Sequence, residues 1–182
     1  TSKGLVMDLW INEKYYYMPS PMIIGIFEFT MMRTRGELNY KTWAKLFNEY
    51  LHGEGEFHGA NFDKGQVVSL LRSLPHEESI LDTDHTEILD YEKAYHIIDS
   101  SDKFAKGLCS CRHEKMHINK KKCNTPLDTC STFGYAADFW IRNNLAEEVS
   151  KTEMHENIER SRELALVLCV DNVKRKPTFL PK

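Results

Sequence analysis

Four of the five cysteines in this 182-residue chain lie between positions 109 and 130, and this crowding constrains the fold more than any other feature of the sequence. They are Cys109, Cys111, Cys123 and Cys130. A secreted disulfide scaffold distributes an even number of cysteines along its whole length. An odd total with four members in one segment instead indicates metal ligation in a reducing compartment, and the cytoplasm is the expected location.

The segment that contains these cysteines is polar and basic. Its cations are Arg112, Lys115, Lys120, Lys121 and Lys122, and its acids are Glu114 and Asp128. Positive neighbours favour thiolates and stabilise an anionic centre. We therefore expect Arg112, His113 and Lys122 to surround the ligands and tune them.

Spacing alone leaves two kinds of centre open. Iron–sulfur clusters are commonly held by four Cys thiolates. Structural zinc accepts the same ligands, although it usually uses pairs separated by two to four residues. The separation of Cys109 and Cys111 by one residue is tighter and favours the cluster. Cys169 lies in an apolar run, and we predict it to be a small hydrophobic residue in a buried strand.

A second metal motif overlaps the first. His113, Glu114 and His117 match the H-E-x-x-H pattern of zinc proteases, in which a glutamate activates zinc-bound water. The motif begins two residues after Cys111 rather than on a long amphipathic helix, and no third ligand stands out downstream. We therefore expect His113 to donate a hydrogen bond near the cluster and His117 to lie on the surface.

Periodicity and turn signals predict an α+β fold that is mostly helical, with short strands near both ends. Residues 4–17 indicate a hairpin, and 167–170 a buried strand. Helices are predicted for residues 21–33, 40–51, 66–73, 91–100 and 133–143, together with one that Ser150 and Glu153 cap and that ends near residue 164. Residues 54–61 and 75–84 are expected to be loops.

Several runs of sequence resemble a family of bacterial and archaeal 4Fe-4S ferredoxin-like iron–sulfur proteins. The specific part is Cys-x-Cys-Arg at 109–112, followed by Cys-x-x-Pro-x-x-x-Cys at 123–130 and by Phe-Gly at 133–134. The runs at 21–33, 91–94, 170–172 and 176–179 are also similar. The resemblance implies one [4Fe-4S] cluster on the four cysteines.

The same resemblance implies a domain plan. Residues 1–18 would be the wing of a helix-turn-helix segment, residues 19–84 a helical linker region, and residues 85–182 the iron–sulfur domain. Members of the family commonly continue into a Cys-rich ferredoxin domain. The sequence is therefore expected to be a piece of a longer protein that includes both missing parts.

These features predict an electron-transfer protein that is a subunit or partner of a larger redox complex, such as an oxidoreductase, rather than a stand-alone enzyme. The alternatives are a redox-sensing winged-helix DNA-binding regulator and a structural-zinc interaction module, and the zinc protease is the least favoured. A net charge of −3 gives no general attraction to nucleic acid. The longest apolar run near the start is far shorter than the ~20 residues of a membrane span.

Overall fold

The computed structural model describes residues 5–20, 23–33, 38–61, 71–74, 94–95 and 98–171, which form an α+β fold of helices and small antiparallel sheets. The strands are β1 Val6–Ile11, β2 Lys14–Pro19, β3 Leu71–Leu74, β4 Phe104–Gly107, β5 Cys130–Phe133, β6 Ala146–Val149 and β7 Leu168–Asp171. The helices are α1 Phe29–Met32, α2 Tyr40–His52, α3 Glu56–Asn61, α4 Ser110–His117, α5 Gly134–Arg142 and α6 Lys151–Glu163. A π-helical turn, Ile23–Glu28, leads directly into α1.

The predicted hairpin at the start of the chain is confirmed. β1 and β2 pair antiparallel around Asn12 and Glu13, which both have positive φ, as a tight two-residue hairpin turn requires. Only the first strand of the hairpin is partly covered: Met7 and Asp8 are buried, whereas every residue of β2 is exposed. The Asp8 carboxylate forms an ion pair with Arg142, which attaches the hairpin to α5.

The predicted helix at 21–33 differs from expectation in its geometry. Its described part begins as a π-helical turn and ends at Met32. Phe27 and Met31 enter one apolar core with α2, while Phe29 and Met32 enter another with α5. The short helical segment therefore joins two cores, and Glu28 stands at the junction between them.

Helix α2 is confirmed with its cap, because the Thr42 amide donates to the Asn39 side chain at 3.2 Å. Two neighbouring predictions are wrong. The loop expected at 54–61 contains α3, and the end of the helix expected at 66–73 is β3, which pairs with β7. Pairing with a distant strand outweighs local propensity there. The predicted loop at 75–84 and the start of the helix predicted at 91–100 lie outside the described residues.

The main correction concerns a three-stranded antiparallel sheet in the second half of the chain, in the order β5-β4-β6. The sequence predicted strands only near the two ends. Each of these strands has four residues, too few for a clear alternating pattern. One face of the sheet presents Phe104, Phe133 and Val149 to α6, and the other face turns Cys130 and Ala146 toward the core that contains α5.

The last two helices follow the sequence closely. α5 falls within the predicted range 133–143, and Ser150 and Glu153 form the expected reciprocal capping box at the start of α6. The burial predicted for the last strand is wrong, because Cys169 and Val167 are exposed. Among the described residues, no helix is both long and apolar enough to cross a membrane.

Candidate metal centre

The cysteine segment contains helix α4, which begins three residues after the end of β4. Cys109 is its N-cap residue and is only 7% exposed. The Cys109 amide donates to the Leu127 carbonyl at 2.6 Å, and the Cys109 carbonyl accepts from the His113 amide at 2.9 Å. Both backbone groups of Cys109 are thus fixed, one by the loop that returns from Cys123 and one by the helix.

The sheet brings Cys130 to the same place. Cys130 is the first residue of β5 and pairs with Gly107, two residues before Cys109. A side chain at Gly107 would lie 2.8 Å from the Met32 methyl and 3.1 Å from the Trp140 ring. The lack of a side chain at Gly107 lets Met32 and Trp140 pack closely beneath this end of the sheet, and Cys130 lies beside Gly107 there.

Three of the four predicted ligands consequently meet at the amino end of α4. The pKa of the Cys109 thiol lies far below its ordinary value, chiefly because of the neighbouring side chains of Cys111 and Cys130. The same neighbours, together with burial, raise the pKa of Cys111 and of Cys130. Cys109 thus lies close enough to both to interact with them.

The fourth predicted ligand lies apart from this cluster. Cys123 is exposed, and hydrogen bonds from Thr125 lower the pKa of its thiol, with help from the charges of Lys121 and Arg112. The Lys121 ammonium also donates to the Cys123 carbonyl. The structure therefore places three of the four cysteines beside one another and leaves Cys123 on the adjoining loop.

Two side chains of opposite charge shift the pKa values of the cysteines in opposite directions. Arg112 donates to the Thr129 hydroxyl at 2.8 Å, and its charge lowers the pKa of both Cys109 and Cys123. Glu28 acts the other way and raises the pKa of Cys111. Arg112 was predicted at this site, whereas Glu28 was missed, although a carboxylate interrupting an apolar helix is a usable signal. Lys122 is exposed, and its predicted influence on the ligands stays a prediction.

The carboxyl end of α4 carries a pair of imidazoles rather than sulfurs. His113 Nδ1 lies 2.6 Å from the Met31 carbonyl oxygen, which can only accept, so Nδ1 is the donor. In the neutral ring Nε2 is then an acceptor, and it receives the Nε2–H of His117 at 2.9 Å. The Tyr40 ring packs on both imidazoles. His113 thus uses both ring nitrogens within the protein, and His117 is half-buried rather than on the surface.

The glutamate of the H-E-x-x-H pattern is also engaged. Glu114 is 1% exposed, and its carboxylate pairs with Lys115 at 3.1 Å. The motif does lie on a helix, but that helix has eight residues, and His113 already hydrogen-bonds His117. Nothing in this arrangement presents the carboxylate to a zinc-bound water, so the geometry gives the protease hypothesis no support.

The donors in the described part of the chain are not arranged around a single ion. Within the described ranges, no group of three or more His, Cys, Asp or Glu residues is arranged to hold one metal ion. In an iron–sulfur cube each thiolate binds a different iron, so the sulfurs surround the group instead of converging on one atom. Cys109, Cys111 and Cys130 lie on one side, and Cys123 lies on the adjoining loop.

Comparison with known proteins finds no relative of this chain. The chain matches no protein-family model, no curated protein and no solved structure.

Proposed function

We propose that this chain binds one [4Fe-4S] cluster through Cys109, Cys111, Cys123 and Cys130, and that it transfers electrons as a subunit or partner of a larger redox complex. The observation that carries the proposal is the meeting of three cysteine sulfurs, one from the sheet and two from the start of a helix. Such convergence of thiols is the donor chemistry that iron–sulfur clusters use.

The residues around the sulfurs suit an anionic centre. The amino end of α4 carries the positive end of the helix dipole, and the backbone amide of Arg112 helps to lower the pKa of Cys109; both favour negative charge. Arg112 adds a full positive charge, held in place by its bond to Thr129. When bound, the cluster accepts and donates single electrons, and these neighbours favour the added electron.

The position of the site supports exchange of electrons with another protein. Cys111 and Cys123 are exposed, so the path from the sulfurs to the surface is short. The cations Lys120 and Lys122 are exposed beside Cys123 and suit an acidic redox partner. A reducing compartment such as the cytoplasm would keep the thiols available for iron.

The DNA-binding alternative has weaker support. The β1–β2 hairpin has the form of a wing, but its charged residues are Asp8, Glu13 and Lys14. Phosphate contacts from Lys and Arg supply most of the affinity for DNA, and this hairpin offers one cation against two acids. The structural-zinc module uses the same sulfurs, and metal analysis separates it from the cluster.

The proposal is tested by a redox titration of protein that has been reconstituted with iron and sulfide under argon. We expect electron paramagnetic resonance to show one S = 1/2 species that appears on reduction and disappears reversibly on oxidation. Cys111→Ser is expected to abolish the signal, because it removes a sulfur from the cluster. Cys169→Ser is the matched control and should leave the signal unchanged, because Cys169 is an exposed cysteine on β7.

Two outcomes would refute the proposal. One is wild-type protein that shows no reversible one-electron signal after reconstitution. The other is an equal loss of signal in Cys111→Ser and Cys169→Ser, which would mean that the ligand set is wrong.

A further inference from the structure

We propose that the outer edge of β2 is a dimer interface, at which two copies of this chain join their hairpins into one four-stranded antiparallel sheet. The edge lies outside the cysteine segment, so the dimer does not depend on the proposed function. Its basis is the apolar surface of the hairpin and the direction in which the backbone groups of β2 point.

The hairpin concentrates the exposed apolar surface of the molecule. Within the described residues, seven of the thirteen exposed large hydrophobic side chains lie between positions 5 and 18. Three of them, Tyr15, Tyr16 and Tyr17, are consecutive and are 51%, 53% and 67% exposed. Helix α5 packs against β1, whereas every residue of β2 is exposed. An exposed apolar patch of this kind marks an interaction site.

The outer edge of β2 also has free backbone groups. The Ser20 amide donates to the Leu5 carbonyl at 3.0 Å, so these two residues form a hydrogen-bonded pair. Such pairs alternate along antiparallel strands, and the register places Tyr15 and Tyr17 in the intervening pairs. Their N–H and C=O groups therefore point away from β1, toward an edge that no strand covers among the described residues. Pro19, which has no N–H, occupies the same kind of position.

This edge lacks the features that usually prevent strand pairing. Proteins protect edge strands with charged residues, prolines and bulges. β2 has its only charge, Lys14, at one end and its only proline, Pro19, at the other, and its register with β1 is unbroken. The residues between them, Tyr15–Met18, are aromatic or apolar. The middle of the strand is therefore open to another strand.

A second copy of the same edge fits this strand. With Tyr16 opposite Tyr16 of the second copy, Tyr15 of each copy lies opposite Tyr17 of the other, and each such pair can exchange two N–H···O bonds. Two-fold symmetry forms both pairs at once. Lys14 then lies opposite Met18 rather than opposite another lysine, so no like charges face each other in β2. The tyrosines add aromatic contacts across the new pair of strands.

The first test measures the mass of the full chain in solution by analytical ultracentrifugation, in reducing buffer and across a dilution series. We expect a monomer–dimer equilibrium in the wild type. Tyr16→Lys should weaken the association by about tenfold, because it replaces an aromatic pair at the two-fold axis with two like charges. Tyr135→Lys makes the same change at an exposed tyrosine on α5, and this matched control should associate as the wild type does.

A charge-reversal mixture separates a lost interface from a failure to fold. Tyr16→Lys and Tyr16→Glu should each be weakly associating alone, because each places like charges opposite each other. An equal mixture of the two should associate more strongly than either alone, because an ammonium group then faces a carboxylate across the axis. Two variants that had lost their fold would not regain association on mixing.

Amide hydrogen exchange of the wild type, resolved to single residues by NMR, tests the pairing itself. The Tyr15 and Tyr17 amides should be protected in concentrated protein and should exchange faster on dilution, because their partners lie on the second copy. The Tyr16 amide faces Leu9 within the hairpin and should keep its protection at every concentration.

Several results would overturn the dimer. One is a wild-type chain that stays monomeric across the dilution series. Another is equal association of Tyr16→Lys and the wild type, or a mixture of the two Tyr16 variants that associates no better than either alone. Exchange at Tyr15 and Tyr17 that does not depend on concentration would overturn it as well. Failure of the proposed function is read separately, from iron and sulfide, and would leave the dimer standing.

Discussion

The two ends of helix α4 carry two motifs that could each bind metal, and the fold treats them differently. At the amino end, Cys109 interacts with Cys111 and Cys130, and Cys111 is exposed. At the carboxyl end, His113 and His117 are bonded to each other, and the Met31 carbonyl and the Tyr40 ring complete their surroundings. The cysteines interact mainly with one another, whereas the two imidazoles are hydrogen-bonded to each other and to the Met31 carbonyl.

A sequence motif can bind a metal only where the lone pairs of its donor atoms are not already used by hydrogen bonds within the protein. The imidazole pair has its hydrogen bonds satisfied by protein groups, so metal binding there would have to break existing structure. At the cysteine end, the pKa of Cys109 is lowered chiefly by its neighbours Cys111 and Cys130. A metal centre would bind these sulfurs without breaking bonds to the rest of the protein, and the neighbouring helix end favours the resulting negative charge.

The largest effect that we predict is on the stability of the metal-free protein, and it compares variants at the two ends of α4. His113→Ala should destabilise the metal-free protein by about 2–4 kcal/mol, because it leaves a cavity and an unpaired Met31 carbonyl. Cys111→Ser should change the free energy of unfolding by less than about 0.5 kcal/mol, as exposed substitutions usually do. Urea denaturation of both variants measures the two values. A larger cost for Cys111→Ser than for His113→Ala would reverse the proposed roles of the two ends.

A smaller effect concerns the charges near the sulfurs. Arg112→Gln should lower the reduction potential of the reconstituted protein by about 40 mV, because removing a nearby positive charge disfavours the added electron by roughly 1 kcal/mol. Glu28→Gln should shift the potential upward for the converse reason. His117→Gln, at the other end of α4, is the control and should leave the potential unchanged. Shifts of the same sign in the Arg112 and Glu28 variants would show that these charges do not act on the centre.

The smallest effect concerns pH. Burial lowers the pKa of His117 below its ordinary value of 6.5, and the nearby His113 adds to the shift. The unfolded chain therefore binds more protons than the folded one as pH falls below about 6.5, and stability should decrease between pH 7.5 and 5.5. Urea midpoints measured at both pH values should show a modest fall in the wild type and a smaller one in His117→Gln. A fall of equal size in both would assign the pH dependence to other groups.

Some elements of the fold could be predicted from the sequence, and others could not. The hairpin, α2 with its Asn39 cap and α6 with its Ser150 cap were all predicted, because each is specified by neighbouring residues. The β5-β4-β6 sheet was missed, because its four-residue strands are defined by pairing partners far along the chain. β3 was predicted as helix for the same reason.

The candidate site follows the same rule. The four cysteines were singled out by their crowding, but their division into three and one depends on the pairing of Gly107 with Cys130, which no local pattern predicts. The buried setting of His113 likewise depends on Met31, more than eighty residues earlier in the chain. The influence of Glu28 on Cys111 was overlooked because its charge acts through space between segments that are distant in the chain.

We propose that the cysteines at the amino end of α4 hold an iron–sulfur cluster. This proposal is tested most directly by measuring iron, zinc and acid-labile sulfide in the wild-type chain purified without oxygen. The account predicts about four irons and four sulfides per chain, with no stoichiometric zinc. One zinc per chain without sulfide, or no bound metal after reconstitution with iron and sulfide, would contradict it.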